Sequence, residues 1–241
     1  MTRMGAPAAE TRIPAPVFVH GSGGDRRVWS AQSTRFDRAA LIDLPGHPVG
    51  APFDDAAALA DLLGDALERA GGRWVPIGHS LGGALALMVA RRRPELVDGV
   101  VVIASGARLP VPDRVFAHLA SDPRAERRRL LDGFLTPDSA AHAWIRVTLD
   151  DCPDASLLAD YRACRSVDLR PDLAAIGHPV LVICAQDDPF IPPRYARELV
   201  DGLPRAELAL IAGARHMPMV DAPRQVNRLI GAFLTRIELD G

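Results

Sequence analysis

Short apolar runs alternate with longer amphipathic stretches along most of the chain. Unbroken apolar runs of about four to eight residues are typical of strands that are covered on both faces, whereas apolar positions three and four residues apart are typical of helices. Because the two patterns alternate, the sequence predicts βαβ units and a mostly parallel sheet flanked by helices. The six predicted strands cover 16–20, 39–44, 74–79, 97–104, 179–185 and 207–211.

The helices between these strands have recognisable ends. One is expected to begin after the capping pair Asp54-Asp55 and to end at Gly71-Gly72, because glycine readily adopts the conformation that closes many helices. A second helix, over 81–93, is apolar nearly all round and stops before Pro94, so we expect it to be buried at the centre of the fold. The last helix begins near Arg224 and carries a single apolar stripe.

The segment 109–170 breaks this alternation of strands and helices. It contains several helical patches but no convincing strand, and it is too long to be a simple loop. We therefore expect a small helical cap that is inserted into an α/β core comprising 1–108 and 171–241. An ordinary peripheral layer of helices is the alternative interpretation.

Charge and cysteine content narrow the function classes without selecting one. The 28 basic and 30 acidic side chains give a net charge of −2, so the chain has no excess of basic charge for nucleic acid or an anionic membrane. No apolar run is long enough to span a bilayer, and the N-terminal stretch lacks the apolar core of a secretory signal. The three cysteines lack metal-ligand spacing, so we expect no metal site and a reducing, cytoplasmic environment.

A glycine-rich turn lies at the joint between the third predicted strand and the central helix. The sequence Gly78-His79-Ser80-Leu81-Gly82 has the form G-x-S-x-G, which in this context predicts a nucleophile elbow, a tight turn that exposes the serine. A serine hydroxyl is a weak nucleophile, so it needs a base, a group that orients the base, and N–H donors for the oxyanion. The alternative is a plain βα turn in which the serine caps the helix.

Four further motifs stand in the order found in one known family. FVHGSGG (18–24) resembles its His-Gly-x-Gly loop, and DLPGH (43–47) resembles the end of its next strand. CAQDDPFIP (184–192) resembles its acid-bearing loop, with Ala185 where glycine is usual, and AGARHMPMVDAP (212–223) resembles the loop of its catalytic base. From about Val17 onwards, the chain resembles the α/β-hydrolase family, which implies the α/β-hydrolase fold.

The order of the chemical groups after Ser80 points to a catalytic triad. An acid and then a base are each expected at the C-terminal end of a later strand, and Asp188 and His216 meet this order. His216 would accept the proton of Ser80, while Asp188 would orient the imidazole. The adjacent Asp187 is a chemical alternative, although the family's spacing to Pro192 favours Asp188.

The family's oxyanion hole uses two backbone N–H groups, which here correspond to those of Leu81 and Ser22. The sequence defines the substrate pocket less sharply. Candidates for its wall are His79, Phe116, Phe134 and Trp144. For the three aromatic side chains, packing within the cap is the alternative role.

The resemblance and the predicted triad imply a carboxylesterase-like serine hydrolase that needs no cofactor and cleaves a small carboxylic ester through an acyl-enzyme. The alternative is a hydrolase or lyase of a catabolic or biosynthetic pathway, because the same groups also serve thioester hydrolysis, carbon–carbon cleavage of diketones, perhydrolysis and a few eliminations. Fold and triad do not choose among these reactions. A ligand-binding receptor on the same fold is a third interpretation, which the intact candidate triad disfavours. The expected partner is thus a small-molecule ester-like substrate, and the sequence carries no signal for the oligomeric state.

Overall fold

The computed structural model describes residues 15–240, which form a six-stranded sheet with helices on both faces. Residues 1–14, where the sequence predicts no secretory signal, lie outside the described residues, as does Gly241. The strands are β1 (Ala15–Val19), β2 (Ala40–Ile42), β3 (Trp74–His79), β4 (Val100–Ile103), β5 (Val180–Ala185) and β6 (Ala206–Ile211). Their order is β2-β1-β3-β4-β5-β6 and every neighbouring pair is parallel, which confirms the predicted fold class.

Two of the strands are shorter than the apolar runs that predict them. The chain leaves β2 early because the backbone N–H of Leu44 donates to Nε2 of His20 rather than to a neighbouring strand. Val97 forms an isolated bridge to Trp74, but β4 begins only at Val100, since the N–H of Val97 donates to the carbonyl of Pro94 in a short 3-10 turn. In both cases a local hydrogen bond competes with the sheet.

Alternate residues of the central strands face two separate apolar layers. One set of side chains from β4 belongs to the cluster that contains α2 (Ala56–Ala70) and α3 (Leu81–Arg92). The intervening side chains belong to the cluster that contains α10 (Pro223–Asp240). Because both faces are covered, apolar residues are buried at every position of β4, which explains its unbroken apolar run.

The predicted helix ends agree with the structure. Helix α2 begins after Asp55, whose carboxylate accepts a hydrogen bond from the N–H of Ala58 at 2.9 Å, and it ends at Gly71, where φ is 72°. Helix α3 stops before Pro94 and is buried along almost its whole length, which confirms its central position. The apolar stripe of α10 is buried except at Leu229, which is half-buried.

Four helices connect β4 to β5. They are α4 (Asp113–Ser121), α5 (Pro123–Phe134), α6 (His142–Asp151) and α7 (Asp154–Ser166). The two ends of this segment are tied together, because the N–H of Leu169 donates to the carbonyl of Ala107 at 2.7 Å. The segment therefore leaves and re-enters the core at one place, next to the carboxyl end of β4.

Several helices were not predicted from the sequence. Helix α1 (Ser30–Ser33) and helix α9 (Pro218–Asp221) are single turns, which leave little periodicity to read. Helix α8 (Pro193–Gly202) follows β5 and buries Tyr195 and Leu199, whose spacing of four was a readable helical signal. Within residues 15–240, none of the helices is both long enough and apolar enough to cross a membrane.

Candidate active site

Ser80 lies on the turn between β3 and α3, with φ at 50° and ψ at −115°. Few residues other than glycine adopt a positive φ, so this backbone is strained and must be held by its surroundings. The N–H of Ser80 donates to the carbonyl of Ile103 at 2.9 Å, and the hydroxyl of Ser105 donates to the carbonyl of Ser80 at 2.7 Å. The end of β4 thus fixes the turn, which presents the partly exposed Ser80 side chain at the carboxyl edge of the sheet.

The glycines around Ser80 are required because backbone passes where their side chains would lie. A Cβ on Gly78 would collide with the carbonyl of Gly82, and a Cβ on Gly82 would collide with the carbonyl of Val19. Backbone atoms cannot rotate away as a flexible side chain can. The elbow therefore tolerates no side chain at either position without a shift of β1 or α3.

His216 lies in the loop after β6 and is oriented by Asp188 in the loop after β5. The Nδ1 of His216 is 2.7 Å from Oδ2 of Asp188, and both side chains are buried. The other oxygen of Asp188 accepts the backbone N–H groups of Phe190 and Ile191, at 2.8 and 2.9 Å. Asp187 is exposed, so of the two candidate acids only Asp188 contacts the imidazole.

The surroundings shift the pKa of two groups next to this pair. Burial alone would raise the pKa of Asp188, but the charge of His216 and the three hydrogen bonds lower it below its usual value. Burial and the nearby His216 lower the pKa of His79 to about 3. His79 is therefore a neutral side chain whose Nε2 donates to the carbonyl of His216 at 2.8 Å.

Ser80 and His216 line the same cavity, although within the described residues no hydrogen bond joins the Ser80 hydroxyl to the imidazole. Catalytic hydrogen bonds are often long in the absence of substrate and shorten when it binds. The His216 ring packs against two phenylalanine rings that also contact each other, with its centroid 5.7 Å from that of Phe134 and 5.2 Å from that of Phe190. This packing leaves the imidazole little room to rotate.

The two predicted oxyanion donors belong to the loop after β1 and to the first residue of α3. Within the part of the chain that the structure describes, the backbone N–H groups of Ser22 and Leu81 bond to no protein acceptor. The loop after β1 is close to the elbow, since a Cβ on Gly21 would lie 2.9 Å from that of Ser80. Two unpartnered N–H groups next to a partly exposed hydroxyl are suited to binding a developing oxyanion.

A cavity of about 350 Å³ opens over Ser80 and His216. This volume is within the range of small-molecule sites, roughly 300–1,000 Å³. Helices α4, α5 and α7 contribute part of its wall, and the loop that carries Asp188 contributes another part. The site is therefore a cleft between the sheet edge and the helices that connect β4 to β5.

Two of the four predicted wall residues line this cavity and two do not. His79 and Phe134 are part of its wall. Phe116 is instead packed edge-on against Tyr161, with 6.2 Å between ring centroids, under the guanidinium of Arg165. Trp144 lies on α6, which does not contribute to this cavity. Both corrections have one cause: the direction of a helical side chain depends on how its helix is packed.

Other cavity residues were not identified from the sequence. Phe190 follows Asp188 in the same loop, and the guanidinium of Arg129 lies over its ring at 5.1 Å. Arg129 also pairs with Glu126, a fully buried carboxylate that accepts the hydroxyl of Tyr161 at 2.9 Å. The three arginines of the wall are Arg114, Arg129 and Arg194. No local motif marks such residues, because helices distant in sequence bring them together.

Two further side chains that could carry chemistry, His20 and Cys184, lie in structural surroundings. His20 is buried, its Nδ1 donates to the carbonyl of Gly21, and its Nε2 accepts the N–H of Leu44. Cys184 is buried in the apolar core, as its sequence environment predicts. Among residues 15–240, no group of three or more histidine, cysteine or acidic side chains is arranged to hold a metal ion.

Two relatives share most of their length with this chain. One is the pimeloyl-[acyl-carrier protein] methyl ester esterase of Nitrosomonas europaea, 30% identical over 235 residues that cover 88% of this chain and 92% of the relative. The other is the pimeloyl-[acyl-carrier protein] methyl ester esterase of Edwardsiella ictaluri, 32% identical over 228 residues that cover 86% of this chain and 88% of the relative.

Solved structures have the same architecture. A thermophilic esterase superimposes with a TM-score of 0.82 at 28% identity, over 92% of this chain and 90% of the other. A second thermophilic esterase, from Thermogutta terrifontis, superimposes with a TM-score of 0.84 at 24% identity, over 93% of this chain and 90% of the other. The model of the alpha/beta hydrolase family matches residues 17–229.

Proposed function

Because the chain belongs to the alpha/beta hydrolase family, we propose that it is a serine hydrolase that cleaves small carboxylic esters with Ser80, His216 and Asp188. The observation that carries this proposal is the buried Asp188–His216 pair at the wall of the cavity that also exposes Ser80. The family and the esterases among its relatives support ester cleavage. The assignment of the three side chains is the further step proposed here.

In the proposed first step, Ser80 Oγ attacks the ester carbonyl while its proton passes to Nε2 of His216. The carbonyl π electrons move to the oxygen, and the resulting oxyanion accepts the N–H groups of Ser22 and Leu81. When the tetrahedral intermediate collapses, the bond to the alcohol breaks and His216 returns the proton to the leaving oxygen. Water then repeats the same sequence on the acyl-enzyme and releases the acid.

The role of Asp188 follows from its contacts. Its bond to Nδ1 keeps the proton of neutral His216 on that nitrogen, so Nε2 is left as the acceptor. When His216 takes the proton of Ser80, the carboxylate stabilises the imidazolium. The lowered pKa of Asp188 keeps it ionised for this purpose at neutral pH.

A fluorophosphonate label with mass spectrometry tests the nucleophile, together with turnover of a short-chain nitrophenyl ester. We expect covalent label on Ser80 and loss of both label and turnover in Ser80→Ala. Ser33→Ala, at a half-buried serine of α1 whose hydroxyl donates to the carbonyl of Ser30, is the matched control and should behave as wild type. Turnover by Ser80→Ala at the wild-type rate would overturn the proposal. A thioester and a diketone in the same assay separate ester cleavage from the other reactions of this fold.

We further propose that 109–170 acts as a cap on the core formed by 1–108 and 171–241. Helices α4, α5 and α7 contribute to the wall of the cavity over Ser80, which supports a role in substrate selection. Helix α5 contacts His216 through the ring of Phe134 and the backbone carbonyl of Gly133. Neither group titrates, so the proposed proton transfers are assigned to residues of the core.

A second candidate narrows the ester to the methyl ester of an acyl chain that is joined to a carrier protein. The names of the two relatives support it, as do the arginines of the cavity wall. Arg114 and Arg194 form no ion pair with any described residue, so they are suited to an anionic substrate group.

The test of this second candidate compares free methyl esters with the same esters joined to an acyl carrier protein. A kcat/KM at least about tenfold higher for the carrier-bound ester at low salt is expected, and equal values would contradict this candidate.

A further inference from the structure

The loop that supplies the Ser22 donor is held from outside the sheet by helix α7. The backbone N–H of Gly23 donates to Oδ2 of Asp160 at 2.8 Å, and the hydroxyl of Ser22 lies 3.3 Å from the sulfur of Cys164. Asp160 and Cys164 are one helical turn apart, so they lie on the same face of α7. One helix face therefore contacts two consecutive residues of this loop.

Asp160 is a buried carboxylate whose second oxygen is also bound. Its Oδ1 is 3.1 Å from Nε2 of His47, and the Nδ1 of His47 is 3.7 Å from the sulfur of Cys152. Burial alone would lower the pKa of His47, but hydrogen bonds to Asp160 and Cys152 and the charge of Asp160 raise it to about 10. His47 is thus a cation at neutral pH. Its charge balances the buried carboxylate of Asp160, which accepts the N–H of Gly23.

The hydrogen bond from Gly23 to Asp160 matters because Gly23 has little conformational preference of its own. Its φ is 70°, and glycine adopts either sign of φ at similar cost, so the chain alone does not fix the direction of the preceding peptide. Ser22 is directly before Gly23, and its N–H must point at the place where the oxyanion develops. A bond to the next N–H along the chain restricts the orientation of this loop.

We infer that Asp160 is a positioning residue that holds the Ser22 N–H in the oxyanion hole, an inference that rests on the proposed function. Asp160 is not part of the wall of the substrate cavity, so it acts through the loop and not on the substrate. A purely structural carboxylate would lower stability when it is removed. A positioning residue also lowers the rate of the chemical step while ground-state binding changes little.

Asp160→Ala tests the inference in steady-state assays with a short-chain nitrophenyl ester. We expect kcat to fall about 10- to 100-fold, since loss of an oxyanion donor costs about 10²–10³ and a displaced donor costs less. KM should stay within about threefold of wild type. Affinity for a boronic acid, which forms a tetrahedral adduct, should fall with kcat. Asp160→Asn should recover most of the rate, because its amide oxygen can accept the N–H of Gly23.

Ser156→Ala is the matched control. Ser156 is buried on the same helix and donates to the carbonyl of Gly46 at 2.7 Å, in the loop after β2, so its removal disturbs α7 without touching the loop of Ser22. We expect this variant to lose stability and to keep its kcat. If Asp160→Ala does not fold, the double variant His47→Gln/Asp160→Ala removes the unpaired buried cation and carries the same test.

Hydrogen exchange of the peptide that contains residues 20–24 separates this inference from the proposed function. Faster exchange in Asp160→Ala, but not in Ser156→Ala, is expected whatever the nucleophile proves to be. Equal exchange in wild type and Asp160→Ala, or equal kcat in Asp160→Ala and Ser156→Ala, would overturn the inference. Wild-type turnover by Ser80→Ala would instead overturn the proposed function. The exchange result would still show whether Asp160 holds the loop of Ser22.

Discussion

The carboxylate of Asp188 lies 2.7 Å from Nδ1 of His216, whereas the adjacent Asp187 is exposed and bonds through its backbone N–H to the carbonyl of Ala214. Two neighbouring acids of identical chemistry thus have different surroundings. The turn after β5 directs one side chain into the protein and the other into solvent. This difference makes a paired substitution informative.

Asp188→Asn should lower kcat by about four orders of magnitude, since loss of the orienting carboxylate in a serine triad costs about 10⁴. Asp187→Asn removes the same charge one residue away and should change kcat by less than about threefold. Steady-state kinetics on a nitrophenyl ester measure both values. The opposite ranking would assign the acid to Asp187.

Gly82→Ala should destabilise the fold and abolish turnover, because its Cβ would collide with the backbone carbonyl of Val19. Overpacking of this kind costs about 1–3 kcal/mol, or more where backbone must move. Gly177→Ala is the control, since a Cβ there meets no atom within 4 Å. Chemical denaturation and ester turnover measure the two effects. A fully active and stable Gly82→Ala would show that the elbow is not tightly packed.

The His47–Asp160 pair should make stability depend on alkaline pH. The pKa of His47 is raised in the folded state to about 10 from an unfolded value near 6.5. The folded state therefore binds more protons in this window, so the stability that the pair contributes is fully present below about pH 6.5 and is lost as the pH rises through about 10.

The difference in free energy of unfolding between wild type and His47→Gln should shrink between pH 7 and 11. His118→Gln, at an exposed position of α4, should follow wild type at each pH. A difference that is constant with pH would contradict the ion pair.

Leu130→Ala should change the preference for acyl-chain length, because Leu130 is a buried residue of α5 that lines the cavity. The ratio of kcat/KM for long and short esters should shift by about 1–3 kcal/mol. Leu119→Ala is the matched control, since Leu119 is equally buried on α4 but does not line the cavity. Fluorophosphonate labelling of Ser80 should survive in both variants. Loss of labelling in a folded Leu130→Ala protein would show that the segment supplies more than the pocket wall.

The sequence by itself determined the sheet, the central helix and the position of the elbow. Each of these depends on neighbouring residues: a run of apolar side chains such as that of β4 is long enough to identify a buried strand. The turn at Ser80 is likewise encoded within five residues, because Gly78 and Gly82 are needed for backbone contacts that the G-x-S-x-G pattern implies.

Tertiary structure decided which side chains meet over Ser80 and which residue holds the loop of Ser22. It directs Asp188 but not Asp187 to His216, it turns Phe116 and Trp144 away from the cavity, and it brings Asp160 to Gly23 across 137 positions of the chain. The physical reason is common to all of these. Local periodicity gives the buried face of a helix or strand, but the direction of a single side chain depends on the angle and distance at which elements pack, and this is set by the whole core.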